Sequence, residues 1–282
     1  MPLAHEIYYT ESVGGEPSQP PVVLIHGTGS DHRSWPLELR RLSGRRLLAV
    51  DLPGHGHSAG RPRQSVAAYA QDLVAFLEAL QIFRVVLVGH GLGAMVALQT
   101  AFEHPARVAG LGLIAASAHL EVPPMIVEYF SNPLTVPLGW LWFQQTAFSP
   151  HTLPARIEVC LERLRSTRPA VLGGDWRACT QLDLSSELAQ INCPTWVVCG
   201  ADDRLAPPAC THFLATRLNA TRLQVIPAAG HMLLFEQPSA LAAGLRSFLT
   251  DLSPVEHLGR EASRTLDRIP GGGSQHRFSS QA

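Results

Sequence analysis

Lysine is absent from the 282 residues, so all 22 basic side chains are arginine. Without an ε-amine the chain has no group for Schiff-base chemistry or for anchoring pyridoxal phosphate. Cysteine is scarce: Cys160, Cys179, Cys193, Cys199 and Cys210 form no CxxC pair. That spacing gives neither a disulfide framework nor a zinc ribbon. A net charge of -1 shows no excess of either sign, which removes the electrostatic ground for binding nucleic acid or anionic membrane. Long apolar runs are missing as well. The longest, over 85–101, is broken by His90 and by Gly89, Gly91 and Gly93 and is too short to span a bilayer. The start, MPLAHEIYYT, lacks the basic and apolar regions of a secretory signal. These absences point to a cytoplasmic protein with no metal, cofactor, nucleic-acid or membrane partner; they are silent on oligomeric state.

Hydrophobic content of 46% with 16% charge fits a compact fold. The length suffices for one large domain or two modest ones. Short apolar runs bounded by turn residues recur: VVLI (22–25), LLAV (47–50), VVLV (85–88), LGLI (111–114), WVVC (196–199) and LQVI (223–226). Helical patterns separate most of them. In SVAAYAQDLVAFLEAL, Val66, Tyr69, Ala70, Leu73, Val74, Leu77 and Leu80 recur at helical spacing. Strand–helix alternation with strands apolar on both faces predicts a mostly parallel sheet flanked by helices. HEIYYTES near the start reads as an added edge strand.

The alternation breaks over 119–191, where prolines, aromatics and helical stretches such as PARIEVCLERLRS replace strands. The segment reads as a helical cap inserted into a core made of 1–118 and 192–252. Tyr129, Phe130, Trp140, Trp142, Phe143 and Phe148 then either pack among themselves or line an apolar pocket where cap meets strand ends. The Gly/Ser-rich stretch over 253–282 is expected to be a disordered tail.

Five motifs stand in a telling order: HGTGSDHRSW (26–35), DLPGHGHSAG (51–60), GHGLG (89–93), GADDRLAPP (200–208) and AAGHMLLFEQP (228–238). Together they resemble the α/β-hydrolase superfamily over almost the whole chain. The resemblance implies a base at His231, an orienting acid at Asp203 and oxyanion-binding N–H groups at Thr28 and Leu92. It also places a substrate pocket at His26, Gly27, His90, Trp140, Trp142 and Phe143. An imidazole can activate a hydroxyl when a carboxylate fixes its tautomer, and oriented N–H groups then hold the oxyanion. Asp202 rivals Asp203 as a turn residue. His55 and His57 have no carboxylate or further histidine at ligand spacing in the chain, so the sequence offers no metal site.

The family's nucleophile position is Gly91. Glycine has no side chain to attack with, and it is at home in the strained turn this motif makes. The change leaves GHGLGA matching the GxGxxA of a dinucleotide turn. The acidic residue such a turn needs about 20 residues later is missing from VAGLGLIAAS. Three readings stand. The chain is a hydrolase of esters or C–C bonds in small apolar substrates, with covalent catalysis lost; or a His/Asp general-base enzyme working without serine; or a non-catalytic binding protein of the same fold.

Overall fold

The computed structural model describes residues 3–252 except 13, 17 and 43. The expected tail lies outside the described residues. Eight strands form one sheet: β1 (Leu3–Ala4), β2 (Ile7–Ser12), β3 (Val22–Ile25), β4 (Leu47–Val50), β5 (Val85–His90), β6 (Val108–Ile114), β7 (Thr195–Gly200) and β8 (Thr221–Ile226). Their order is β1-β2-β4-β3-β5-β6-β7-β8. β1 and β2 run antiparallel to their neighbours and every pair from β4 to β8 is parallel. All six apolar runs are strands, and HEIYYTES supplies β2 with the two-residue β1 folded back outside it.

The helices are α1 (Leu37–Arg40), α2 (Val66–Ala79), α3 (Leu92–Glu103), α4 (Pro124–Ser131), α5 (Val136–Ala147), α6 (Pro154–Arg165), α7 (Pro169–Gln181), α8 (Pro208–Arg217), α9 (Leu233–Glu236) and α10 (Pro238–Asp251). Proline opens α4, α6, α7, α8 and α10, where its missing N–H costs no hydrogen bond. The Ser65 hydroxyl caps α2 by accepting the Ala68 N–H at 3.2 Å.

Side chains of β3 divide by period two between the two faces of the sheet. Val23 and Ile25 join the core with Tyr69, Leu73 and Leu77 of α2, whereas Val22 and Leu24 pack with Trp35, Trp196, Leu245 and Phe248. Burial on both faces explains why the strand runs read as continuously apolar.

Helices α4 to α7 all lie between β6 and β7. Where this segment leaves and rejoins the sheet, the Leu184 N–H donates to the Ala118 carbonyl at 3.0 Å and His119 bridges Asp183. Phe130, Trp140, Phe143, Phe148 and Trp176 are continuous with the α2-side core rather than a separate cluster. Phe130 packs edge-on to Trp140 at 5.0 Å and stacks on Trp176 at 5.4 Å. Among the described residues no helix is long and apolar enough to cross a membrane.

Candidate active site

β5 ends at His90 and α3 begins at Leu92, so the reversal between them falls on Gly91, with φ 52° and ψ −114°. Its two glycine neighbours are there for space. A Cβ at Gly93 would collide with the carbonyl oxygens of Ile25 and His26, and one at Gly89 with the backbone of Gly93. Gly91 is different: a Cβ there would meet only the His231 ring, with Nε2 at 3.2 Å and Cε1 at 3.9 Å. Packing demands the outer glycines, while only backbone angle favours the central one. A residue with a Cβ adopts such angles at a cost of about 1 to 3 kcal/mol.

His231 sits between β8 and α9, its N–H donating to the Ala147 carbonyl at 2.8 Å. Its Nδ1 donates to Asp203 Oδ2 at 2.9 Å. Asp203, in the loop after β7, accepts the N–H groups of Leu205 and Ala206 on Oδ1 at 2.9 and 2.8 Å. Three donors therefore lock a buried carboxylate, and the proton on Nδ1 leaves Nε2 as a lone pair facing Gly91. Asp202 turns away and accepts the Ser149 hydroxyl at 2.6 Å. Tertiary contact thus separates two adjacent aspartates that local sequence leaves equivalent.

Among the described residues the Thr28 and Leu92 N–H groups have no hydrogen-bond acceptor, and both residues line the cavity beside Gly91. The loop carrying Thr28 is held by α7. Fully buried Asp175 accepts the Gly29 N–H at 2.8 Å, the Tyr69 hydroxyl at 2.7 Å and His55 Nε2 at 2.9 Å. The Thr167 hydroxyl donates to the Gly29 carbonyl at 2.6 Å. His55 also faces the Pro53 carbonyl through Nδ1 at 3.1 Å. Burial opposes charge on His55, but Asp175 outweighs it and raises the imidazole above its ordinary pKa. Nothing in the local spacing of the sequence pairs residues 55 and 175.

The cavity, about 560 Å³ including its mouth, is lined by Gly27, Thr28, His90, Gly91, Leu92 and His231 on the sheet side. Phe143, Leu164, Trp176 and Cys179 close it from the inserted helices. Burial pushes the Cys179 thiol up to about 12, so it is not a thiolate nucleophile at neutral pH. Three expected pocket residues stand elsewhere. His26 is a loop brace, its Nδ1 donating to the Gly27 carbonyl at 2.8 Å and its Nε2 accepting the Leu52 N–H at 2.9 Å. Trp140 packs on Phe130 and Phe143, and Trp142 lies behind Trp176. Trp176, missed in the sequence, is the aromatic that reaches the cavity together with Phe143; helical periodicity shows which residues share a face, not what that face meets.

Two imidazoles make stability depend on pH. Burial lowers His26 to about 4 and His90 to about 3. Each is neutral when folded, and His90 Nε2 donates to the His231 carbonyl at 2.9 Å. Unfolded histidines bind protons from about pH 6.5 downward, so the unfolded state takes up more protons and stability falls as pH drops from 6.5 toward 4. Each group contributes up to about 1.4 kcal/mol per pH unit in that window. Urea unfolding at pH 7 and 4.5 checks this: His26→Gln should flatten the slope, and an unchanged slope would refute the assignment.

The pattern of the alpha/beta hydrolase family matches residues 22–244. The chain belongs to that family. It is 32% identical over 257 residues to a dihydrolipoyllysine-residue acetyltransferase component of an acetoin cleaving system from Pseudomonas putida, covering 84% of this chain and 65% of that protein. It is 32% identical over 252 residues to a 2-succinyl-6-hydroxy-2,4-cyclohexadiene-1-carboxylate synthase from Enterobacter sp. strain 638, covering 83% and 93%. Among solved structures it is similar to a thermophilic esterase from Thermogutta terrifontis, with TM-score 0.79 and 24% identity over 87% of this chain and 93% of that one.

Proposed function

We propose that this α/β-hydrolase-family protein acts on an ester or a C–C bond beside a carbonyl in a small apolar substrate, with the covalent route closed at Gly91 and His231 left as a general base. The inserted helices over 119–191 are its cap, and Phe143 and Trp176 its apolar wall. One observation carries the reading: His231 Nε2 points at the Gly91 position, with no other group within 4 Å of where a Cβ would stand, while Asp203 still holds Nδ1. A pure binding protein has no physical need of a base oriented by a buried acid.

On this reading, water stands where a hydroxyl would. Its oxygen attacks the carbonyl carbon as His231 Nε2 takes the proton, and the Thr28 and Leu92 N–H groups hold the oxyanion. Collapse expels the alkoxide, which recovers the proton from the imidazolium. General-base help of this kind is worth about 10² to 10⁴-fold and suits activated esters. The test is p-nitrophenyl acetate hydrolysis by the natural chain and by His231→Ala. A loss of about 10²-fold or more supports the base role; an unchanged rate rejects it. A fluorophosphonate probe should leave the natural chain unlabelled, and labelling would reveal a nucleophile elsewhere.

A further inference from the structure

The sequence holds no metal-ligand spacing, but the fold assembles one. His32 follows the loop after β3, Asp51 directly follows β4, and His57 lies six residues on in the next turn. One potential ligand atom from each falls within 4.8 Å of the other two. Asp51 Oδ1 accepts both the backbone N–H and the Nδ1 of His32, at 2.7 and 2.8 Å. Asp51 Oδ2 accepts the His57 N–H at 2.9 Å and lies 3.8 Å from His57 Nδ1.

Hydrogen bonds alone would let Asp51 clamp two loops, yet its burial beside two imidazoles, one of them open to solvent, sets the cluster apart. The Asp51 side chain is wholly buried, and among the described residues the groups at ion-pair distance from it are these two imidazoles, with no guanidinium. Gly56, at φ 47°, packs against the Asp51 carboxylate so closely that a Cβ there would collide with Oδ2. His57 is 46% exposed and forms the solvent edge of the cluster, with the Tyr8 ring packed 4.8 Å from it and 5.1 Å from His32.

We propose that His32, Asp51 and His57 form a binding site for a divalent transition-metal ion, Zn²⁺ being the best match. Two imidazoles and one carboxylate suit Zn²⁺ and disfavour Mg²⁺ or Ca²⁺. Ligand atoms around tetrahedral zinc stand about 3.3 Å apart. Turning the exposed His57 ring inward supplies the closure, with solvent in the remaining position. Zinc replaces the proton on His32 Nδ1, and the imidazole stays neutral by carrying its proton on Nε2. The bound ion ties the loop after β3 to the turn after β4.

The experiment is calorimetric titration of chelator-stripped protein with ZnCl₂, with MgCl₂ as control, and thermal unfolding in each ion. One Zn²⁺ per chain, a higher melting temperature in zinc alone, and a loss of affinity of about tenfold or more in His57→Ala are expected. The metal-free melting temperature of His57→Ala should fall only slightly, because about half of that side chain is exposed. Absence of stoichiometric binding, or equal affinity in His57→Ala, overturns the site; the latter would assign the zinc to other histidines.

Discussion

Gly91→Ser is expected to raise p-nitrophenyl ester hydrolysis by about 10³-fold or more over the natural chain, and His231→Ala in that background to abolish the gain. The size follows from serine hydrolases, where losing the serine costs on the order of 10⁶-fold and the remaining site retains roughly 10³ to 10⁴ over water. The geometry follows from the built Cβ, 3.2 Å from His231 Nε2 with no other obstacle within 4 Å. A shift of a few tenths of an ångström seats the Cβ and brings the hydroxyl within reach of the base. The φ of 52° makes the substitution cost about 1 to 3 kcal/mol of stability, so a lower melting temperature should accompany the activity. The variant should also take a fluorophosphonate label. A folded variant that stays inert and unlabelled would show that the oxyanion donors or the base are misplaced, and would favour a binding protein over an enzyme.

Asp175→Ala is expected to destabilise the protein by about 3 to 5 kcal/mol, the cost of removing one partner of a buried ion pair. Asp175 and the His55 side chain are both fully buried. Its loss leaves the His55 imidazole, the Tyr69 hydroxyl and the Gly29 N–H without their acceptor. At roughly 2 °C per kcal/mol for a chain of this size, the melting temperature should fall by about 6 to 10 °C. The double variant Asp175→Leu with His55→Leu should recover much of that loss, since paired apolar replacement leaves no buried imidazole without a partner. A single variant within about 0.5 kcal/mol of the natural chain would mean that the network does not join α7 to the loops below it.

Much of the fold was legible because its signals are local. Each β3-type strand, buried on both faces, reads as a continuous apolar run, and Val66 to Leu77 declare α2 by their own spacing. The turn at Gly91 was legible too: Gly89 and Gly93 are demanded by backbone contacts at the strand–helix junction, so their spacing survives the change at the central position. The pocket lining was less so. His26 belongs to a motif that borders the cavity, yet its ring braces Leu52; Trp140 and Trp142 lie on the right helix but not on the side that reaches the cavity, while Trp176 on a different helix does.

The amino-acid sequence by itself determined the strand–helix order and the glycine at the turn between β5 and α3, because periodicity and chemical type are properties of neighbouring residues. Only the tertiary structure decided that Asp202 turns to Ser149, that His55 pairs with Asp175 across 120 positions, and that His32, Asp51 and His57 converge. Those pairings depend on side-chain direction after long chain crossings, and a change in direction of a single residue, as between the adjacent aspartates, reassigns the partner entirely.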